Sequence, residues 1–172
     1  MTGLVAGAQA GQETGRDAEL VLAFLNTLDV EQGTDALNDE ADWQEWAART
    51  GLAPPGDRDH ARAVRTALRE AVGDPLASDG VPLGSAPIGV TLDDRGVPVL
   101  AGADAVGQVL AASVRLSVLG QWDRVKICPA DNCRWAFFDH SRNRSRTWCS
   151  MRVCGNRTKA RIWRERARVR PA

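Results

Sequence analysis

Apolar residues recur along this chain with helical spacing over long stretches and alternate over short ones. Ala18, Val21, Leu22, Leu25 and Leu28 predict a first helix, with Asp17 placed to cap its start. A second helix is expected after Asn38. Its Trp43, Trp46 and Ala47 share one face, and Gly51 is its stop. The Pro54-Pro55-Gly56 breaker precedes a third helix from about Asp57, with Ala61, Val64, Leu68 and Ala71 as its inner stripe and Gly73 and Pro75 at its end. Residues 73–87 are rich in Gly, Pro, Ser and Asp and read as loop. Residues 88–92 and 97–100 flank Asp93-Asp94-Arg95-Gly96, the pattern of a hairpin. Residues 103–119 predict a long central core helix. Asp104, Gln108 and Arg115 fall in one narrow polar strip, and nearly all else there is apolar or small.

Beyond residue 120 the pattern shortens and cysteine enters. Cys128, Cys133, Cys149 and Cys154 form two C-x4-C pairs separated by fifteen residues. Four thiolates suit tetrahedral Zn²⁺, and two short loops bring them together while ordering little chain. Pro129, Ala130, Asp131 and Asn132 supply turn chemistry between the first two ligands. A closed set of four leaves no open position for an activated water, so the zinc is expected to be structural. The other readings are four unrelated buried cysteines, or a redox switch. His140 is a spare ligand that a complete tetrathiolate makes superfluous. Arg134-Trp135-Ala136-Phe137-Phe138 is β-prone and predicts the return strand of a hairpin whose first strand ends at Lys126-Ile127.

Charge sharpens this division. The chain is neutral overall, but residues 1–120 hold 8 Lys+Arg against 18 Asp+Glu, while residues 121–172 hold 14 against 4. A basic module joined to an acidic one points to an anionic partner, and nucleic acid is the expected class. The candidate contacts are Arg142, Arg144 and Arg146 in the loop between the cysteine pairs, with Arg157, Lys159, Arg161, Arg164 and Arg168 on a final helix over residues 157–168. Arg157, Arg161, Arg164 and Arg168 follow i, i+4, i+7, i+11 and share one face, while Ala160, Trp163 and Ala167 are expected to pack on the module. The alternatives are a solvated loop and helix, or docking of this face on the acidic half.

Other classes have less support. No stretch approaches the roughly 18 apolar residues of a membrane helix. Residues 1–15 lack a signal peptide's basic and apolar regions and are expected to be disordered, which implies a cytoplasmic protein with reduced thiols. His60 and His140 are the only histidines, and neither a serine-nucleophile elbow nor a phosphate-binding glycine loop occurs, so no enzyme is expected. Asn26 and Thr27, a polar pair in the first apolar helix, are candidates for an effector pocket; the alternative is helix capping. An RNA-associated zinc module is a third function class, with Trp135 and Phe137 as base-stacking residues.

The run from Asp139 to Lys159 resembles the signature of the CGNR zinc-finger family. It contains Ser141-Arg142-Asn143-Arg144-Ser145-Arg146, Trp148-Cys149-Ser150-Met151 and the tetrapeptide Cys154-Gly155-Asn156-Arg157. The front of the chain resembles the ABATE domain often paired with that finger, through Phe24-Leu25-Asn26-Thr27-Leu28, the Trp43-x-x-Trp46 helix ending at Gly51-Leu52, and the hairpin before the core helix. Residues 73–87 look shorter than the pattern. The resemblance implies zinc on the four cysteines and a bacterial, stress-linked transcription regulator; the basic charge makes duplex DNA the expected partner. The expected fold is α+β. Residues 1–15 are a disordered lead, 16–120 a mainly helical ABATE-like domain with a β-hairpin, and 121–172 a treble-clef-like zinc module of hairpin knuckle, second knuckle and helix. Residues 1–120 are expected to fold alone.

Overall fold

A computed structural model describes residues 3–52, 54–75, 77 and 88–169. The rest of the predicted 73–87 loop lies outside the described residues. Helix α1 spans Gly3–Leu25, α2 Glu40–Arg49, α3 Arg58–Ala71, α4 Ala105–Val118 and α5 Asn156–Val169. Among the described residues three two-stranded antiparallel hairpins punctuate them: β1 (Leu28–Asp29) with β2 (Thr34–Asp35), β3 (Gly89–Leu92) with β4 (Pro98–Ala101), and β5 (Val125–Ile127) with β6 (Ala136–Phe138). This is the expected α+β arrangement, a helical front followed by a small zinc-finger-like module.

Helix α1 begins far earlier than its apolar stripe implied. Residues 3–15 are helical, which corrects the expectation of disorder across 1–15. Ala6, Ala8, Gln9, Ala10 and Glu13 are strong helix formers, and together they outweigh Gly7, Gly11 and Gly15. Asp17 therefore sits inside the helix and caps nothing. It is buried, and its carboxylate takes Arg115 of α4 at 2.6 Å. The other caps follow local chemistry. Asp39, Asp57 and Asp104 each accept backbone N–H groups of the first turn of α2, α3 and α4.

Two apolar clusters share α1 and α4. In the first, Phe24, Leu37, Trp43, Trp46, Val64, Val106 and Val109 close the space between the four front helices. The Trp43 and Trp46 rings stack at 5.0 Å, with Phe24 tilted against both. In the second, Ala18, Val21 and Leu25 of α1 and Ala112 and Leu116 of α4 meet Val125, Ile127 and Ala136 of the third hairpin. The finger's hairpin thus completes a core that the front helices begin. Helix α3 departs from its predicted stripe. Ala61 and Val64 are buried, but Ala71 is exposed, and Arg65 and Arg69 take inner positions instead.

Candidate metal centre

The β5–β6 hairpin pairs Val125 with Phe138 and Ile127 with Ala136, which delivers Cys128 and Cys133 to one end. Cys128 N–H donates to the Trp135 carbonyl at 2.9 Å, and Cys133 N–H to the Ala130 carbonyl at 2.8 Å, closing the first knuckle. Arg134 follows with φ of 52°, a left-handed conformation that a non-glycine residue adopts only when its surroundings enforce it. The enforcement is visible. Arg134 turns its carbonyl onto Arg69 at 2.8 Å and its guanidinium onto Asp74 at 2.7 Å. The second knuckle is a π-helical turn, Met151–Gly155, capped by Ser150, whose carbonyl accepts Cys154 N–H at 2.9 Å.

All four Sγ atoms lie within 4.8 Å of one another, with Cys133–Cys149 at 3.5 Å and Cys149–Cys154 at 3.6 Å. Four sulfurs on a tetrahedral Zn²⁺ at about 2.3 Å stand about 3.8 Å apart, so the cage matches one zinc ion. Its electrostatics agree. Burial opposes the Cys128 thiolate, but backbone donors at Ala130 and Cys149 outweigh it and lower that pKa. Burial and the neighbouring sulfurs push Cys149 up and hold Cys154 at about 11. Four thiols this close cannot all ionise without a cation among them, and a divalent ion removes the conflict. His140 lies outside this group; its ring packs on Phe138 at 5.0 Å.

The loop between the knuckles is organised by a residue the sequence reading passed over. Asp139 is fully buried. Its carboxylate takes Lys126 Nζ at 2.7 Å and the N–H groups of Ser141 and Arg146 at 2.8 and 2.9 Å. Burial works against that charge, but these donors prevail and hold its pKa far below the usual carboxylate range. Lys126 also reaches the Arg144 carbonyl at 2.5 Å. An arginine-rich loop is thus wrapped around one buried anion.

Two family models cover this architecture. The ABATE model, described as "Putative stress-induced transcription regulator", matches residues 18–132, and the CGNR zinc-finger model matches residues 124–167. The chain belongs to the ABATE family. Its C-terminal module is a CGNR zinc finger, and the two matches overlap over residues 124–132, which hold β5 and the start of the first knuckle. No curated protein matches the chain. In the CGNR tetrapeptide, Cys154 is a cage sulfur and Gly155 sits against Met151 and Trp148, where a Cβ would collide with the Met151 sulfur. Asn156 opens α5, and Arg157 reaches Glu31 of the β1–β2 turn at 3.0 Å.

The CGNR arginines divide into two groups. Arg144 pairs with Asp123 at 3.0 Å and donates to the Gly120 carbonyl. Arg146 donates to the Trp148 and Cys149 carbonyls and lies over the Phe137 ring at 4.9 Å. Arg142 makes no bond to a described residue and points into solvent. On α5, Arg161 pairs with Asp131 at 3.1 Å, Arg164 bonds its own helix at Ala160, and Lys159 and Arg168 have no described partner. Ala160, Trp163 and Ala167 were expected to pack on the module, but all three are exposed, Trp163 by 71%. The apolar set is too sparse and the surrounding charge too dense for that face to bury. Phe137 is buried under Arg146 and is unavailable for base stacking, whereas Trp135 is 38% exposed.

Asn26 and Thr27 line a cleft of about 840 Å³ between the β1–β2 hairpin, α2 and the finger. Their polar atoms are engaged. Asn26 bonds both backbone groups of Ala136, and Thr27 Oγ1 donates to the Phe24 carbonyl and accepts from Arg65. Arg65, Arg69 and Asp74 were missed because single charges on an amphipathic helix or in a loop carry no periodic signal.

Proposed function

We propose that this chain is a zinc-dependent bacterial transcription regulator that docks α5 on duplex DNA. One observation carries the reading: the α5 side chains from Lys159 to Arg168 are all exposed. Between residues 157 and 168 the helix bears six cations and a single acid, Glu165. A helix that buries no face and repels itself is stabilised by an anionic partner, and its width suits the major groove. The ion pairs of Arg157 and Arg161 are solvent-exposed and weak, so phosphate displaces them readily. Arg142 joins the contact, while Arg144 and Arg146 fix the loop that presents it.

The zinc is structural in this reading: it holds the knuckles from which α5 departs. The family description supports a regulatory role, and among the described residues no helix is long and apolar enough to cross a membrane. We place the protein in the cytoplasm. An effector would occupy the 840 Å³ cleft, where Asp29, Asp42, Glu45 and Arg49 offer charged groups and Trp46 and Trp135 offer ring surface.

The test is duplex binding by the zinc-loaded chain over a salt series. Four phosphate contacts along the Arg157, Arg161, Arg164, Arg168 face correspond to a slope of about −3.6 in log K against log salt. Replacing Arg161 and Arg164 with alanine should reduce that slope by about one unit per contact and leave Tm unchanged. Unaltered binding with a large fall in Tm would sink the reading.

A further inference from the structure

Three of the four cage sulfurs belong to buried residues, while Cys149 is half-buried. Cys149 also lines two clefts: the 840 Å³ cleft, and a smaller one of about 220 Å³ whose wall includes Cys133, Cys149 and Cys154. Cys128 lines neither. The smaller cleft has room for a few water-sized molecules. Asp29 and Glu31 stand at its rim, with Glu31 neutralised by Arg157. A tetrathiolate zinc centre carries two net negative charges, so the field there disfavours anions and admits small neutral molecules.

We propose that Cys149 is an oxidation site for hydrogen peroxide, and that its reaction discharges the zinc. The Cys149 sulfur attacks one peroxide oxygen, the O–O bond breaks, hydroxide leaves and a sulfenic acid forms. Cys133 or Cys154, whose sulfurs stand 3.5 and 3.6 Å away, then attacks that sulfur and displaces the second hydroxide. Two thiolates lose two electrons, peroxide gains them, and the two hydroxides take up two protons to become water. The cage keeps two thiolates, too few to hold the ion. Helix α5 starts at Asn156, two positions after Cys154, so opening the second knuckle removes its anchor. The inference does not depend on nucleic-acid binding.

Zinc-loaded full-length protein is treated with hydrogen peroxide, release is read with a chromogenic chelator, and the bridge is mapped by peptide mass. We expect one zinc released per chain and a disulfide that contains Cys149. A bridge that omits Cys149 overturns the proposal. Cys149→His keeps four ligands as a Cys₃His set, and its zinc release should slow on the order of tenfold. Equal release rates for the parent and Cys149→His also overturn it. If Cys149→His does not load zinc, a sulfenic-acid trap on the parent protein decides the matter. Label arriving first at Cys149 supports the site, and label arriving first at any other cysteine refutes it.

Discussion

The carboxamide of Asn26 holds the backbone of Ala136 from both sides: Nδ2 donates to the carbonyl at 2.9 Å, and Oδ1 accepts from the N–H at 2.8 Å. These residues lie 110 positions apart, one just past the end of α1 and the other opening β6. The side-chain amide acts as a third strand's peptide group along the free edge of the finger's hairpin. It adds a polar clamp between the ABATE helices and the zinc module to the apolar contacts of their shared core.

Replacing Asn26 with alanine leaves both polar groups of the buried Ala136 without partners. A loss of about 1–3 kcal/mol is expected. Urea unfolding of zinc-loaded protein measures it; an unchanged midpoint would show that water replaces the amide at no cost.

Cys133→Ser should abolish zinc binding, and elemental analysis should find one zinc in the parent chain and none in the variant. The loss is not expected to stay local. Val125, Ile127 and Ala136 pack with Val21, Leu25 and Leu116, so the front helices should also melt at lower temperature. By the same argument, residues 1–120 expressed alone should unfold with reduced cooperativity. A fragment as stable as the whole chain would restore the separable-domain picture that the sequence suggested.

Asp35 yields a pH prediction. Burial raises its pKa, but Arg65 at 2.5 and 2.7 Å and the Leu37 N–H outweigh that and lower it overall. A folded pKa below the unfolded value of about 3.9 means the stabilisation is complete above that pH and is lost as pH falls through the folded value. The stability gap between the parent and Asp35→Asn should therefore be widest near neutrality and close in acid. A gap that stays constant down to pH 3 would contradict the pairing.

Arg69 is the deepest cation of the molecule's described part. Burial lowers its pKa, and its guanidinium joins the Leu25 carbonyl, Asp74 and the Arg134 carbonyl at 2.7–2.8 Å. Arg69→Leu should cost about 3–5 kcal/mol, because it removes a shared donor from buried acceptors on three segments. Arg69→Lys, a single point charge in place of a fork, should recover only part of it. Thermal unfolding of the two variants against the parent gives the comparison.

Much of the molecule is legible one residue after another. The zinc cage follows from the paired C-x4-C spacing because its ligands are few, chemically distinctive and close in sequence. The helices over Trp43, Val64 and Val109 follow from periodicity, and the start of α3 from Asp57, because amphipathicity and capping act within one or two turns; the caps at Asp39 and Asp104 emerge only in the structure. The tertiary structure alone decided what the buried charges do. Asp17 reads locally as a cap yet pairs with Arg115, 98 positions away. Asn26 reads as a pocket residue yet clamps Ala136. Asp139 reads as one more polar residue before a basic loop yet is the anion around which that loop folds. Trp163 reads as a packing residue yet lies in solvent, because no apolar surface is presented to it. Asp17 and Asn26 depend on which distant segment arrives opposite, and a hydrogen-bond partner about 100 residues away leaves no periodic trace in the sequence.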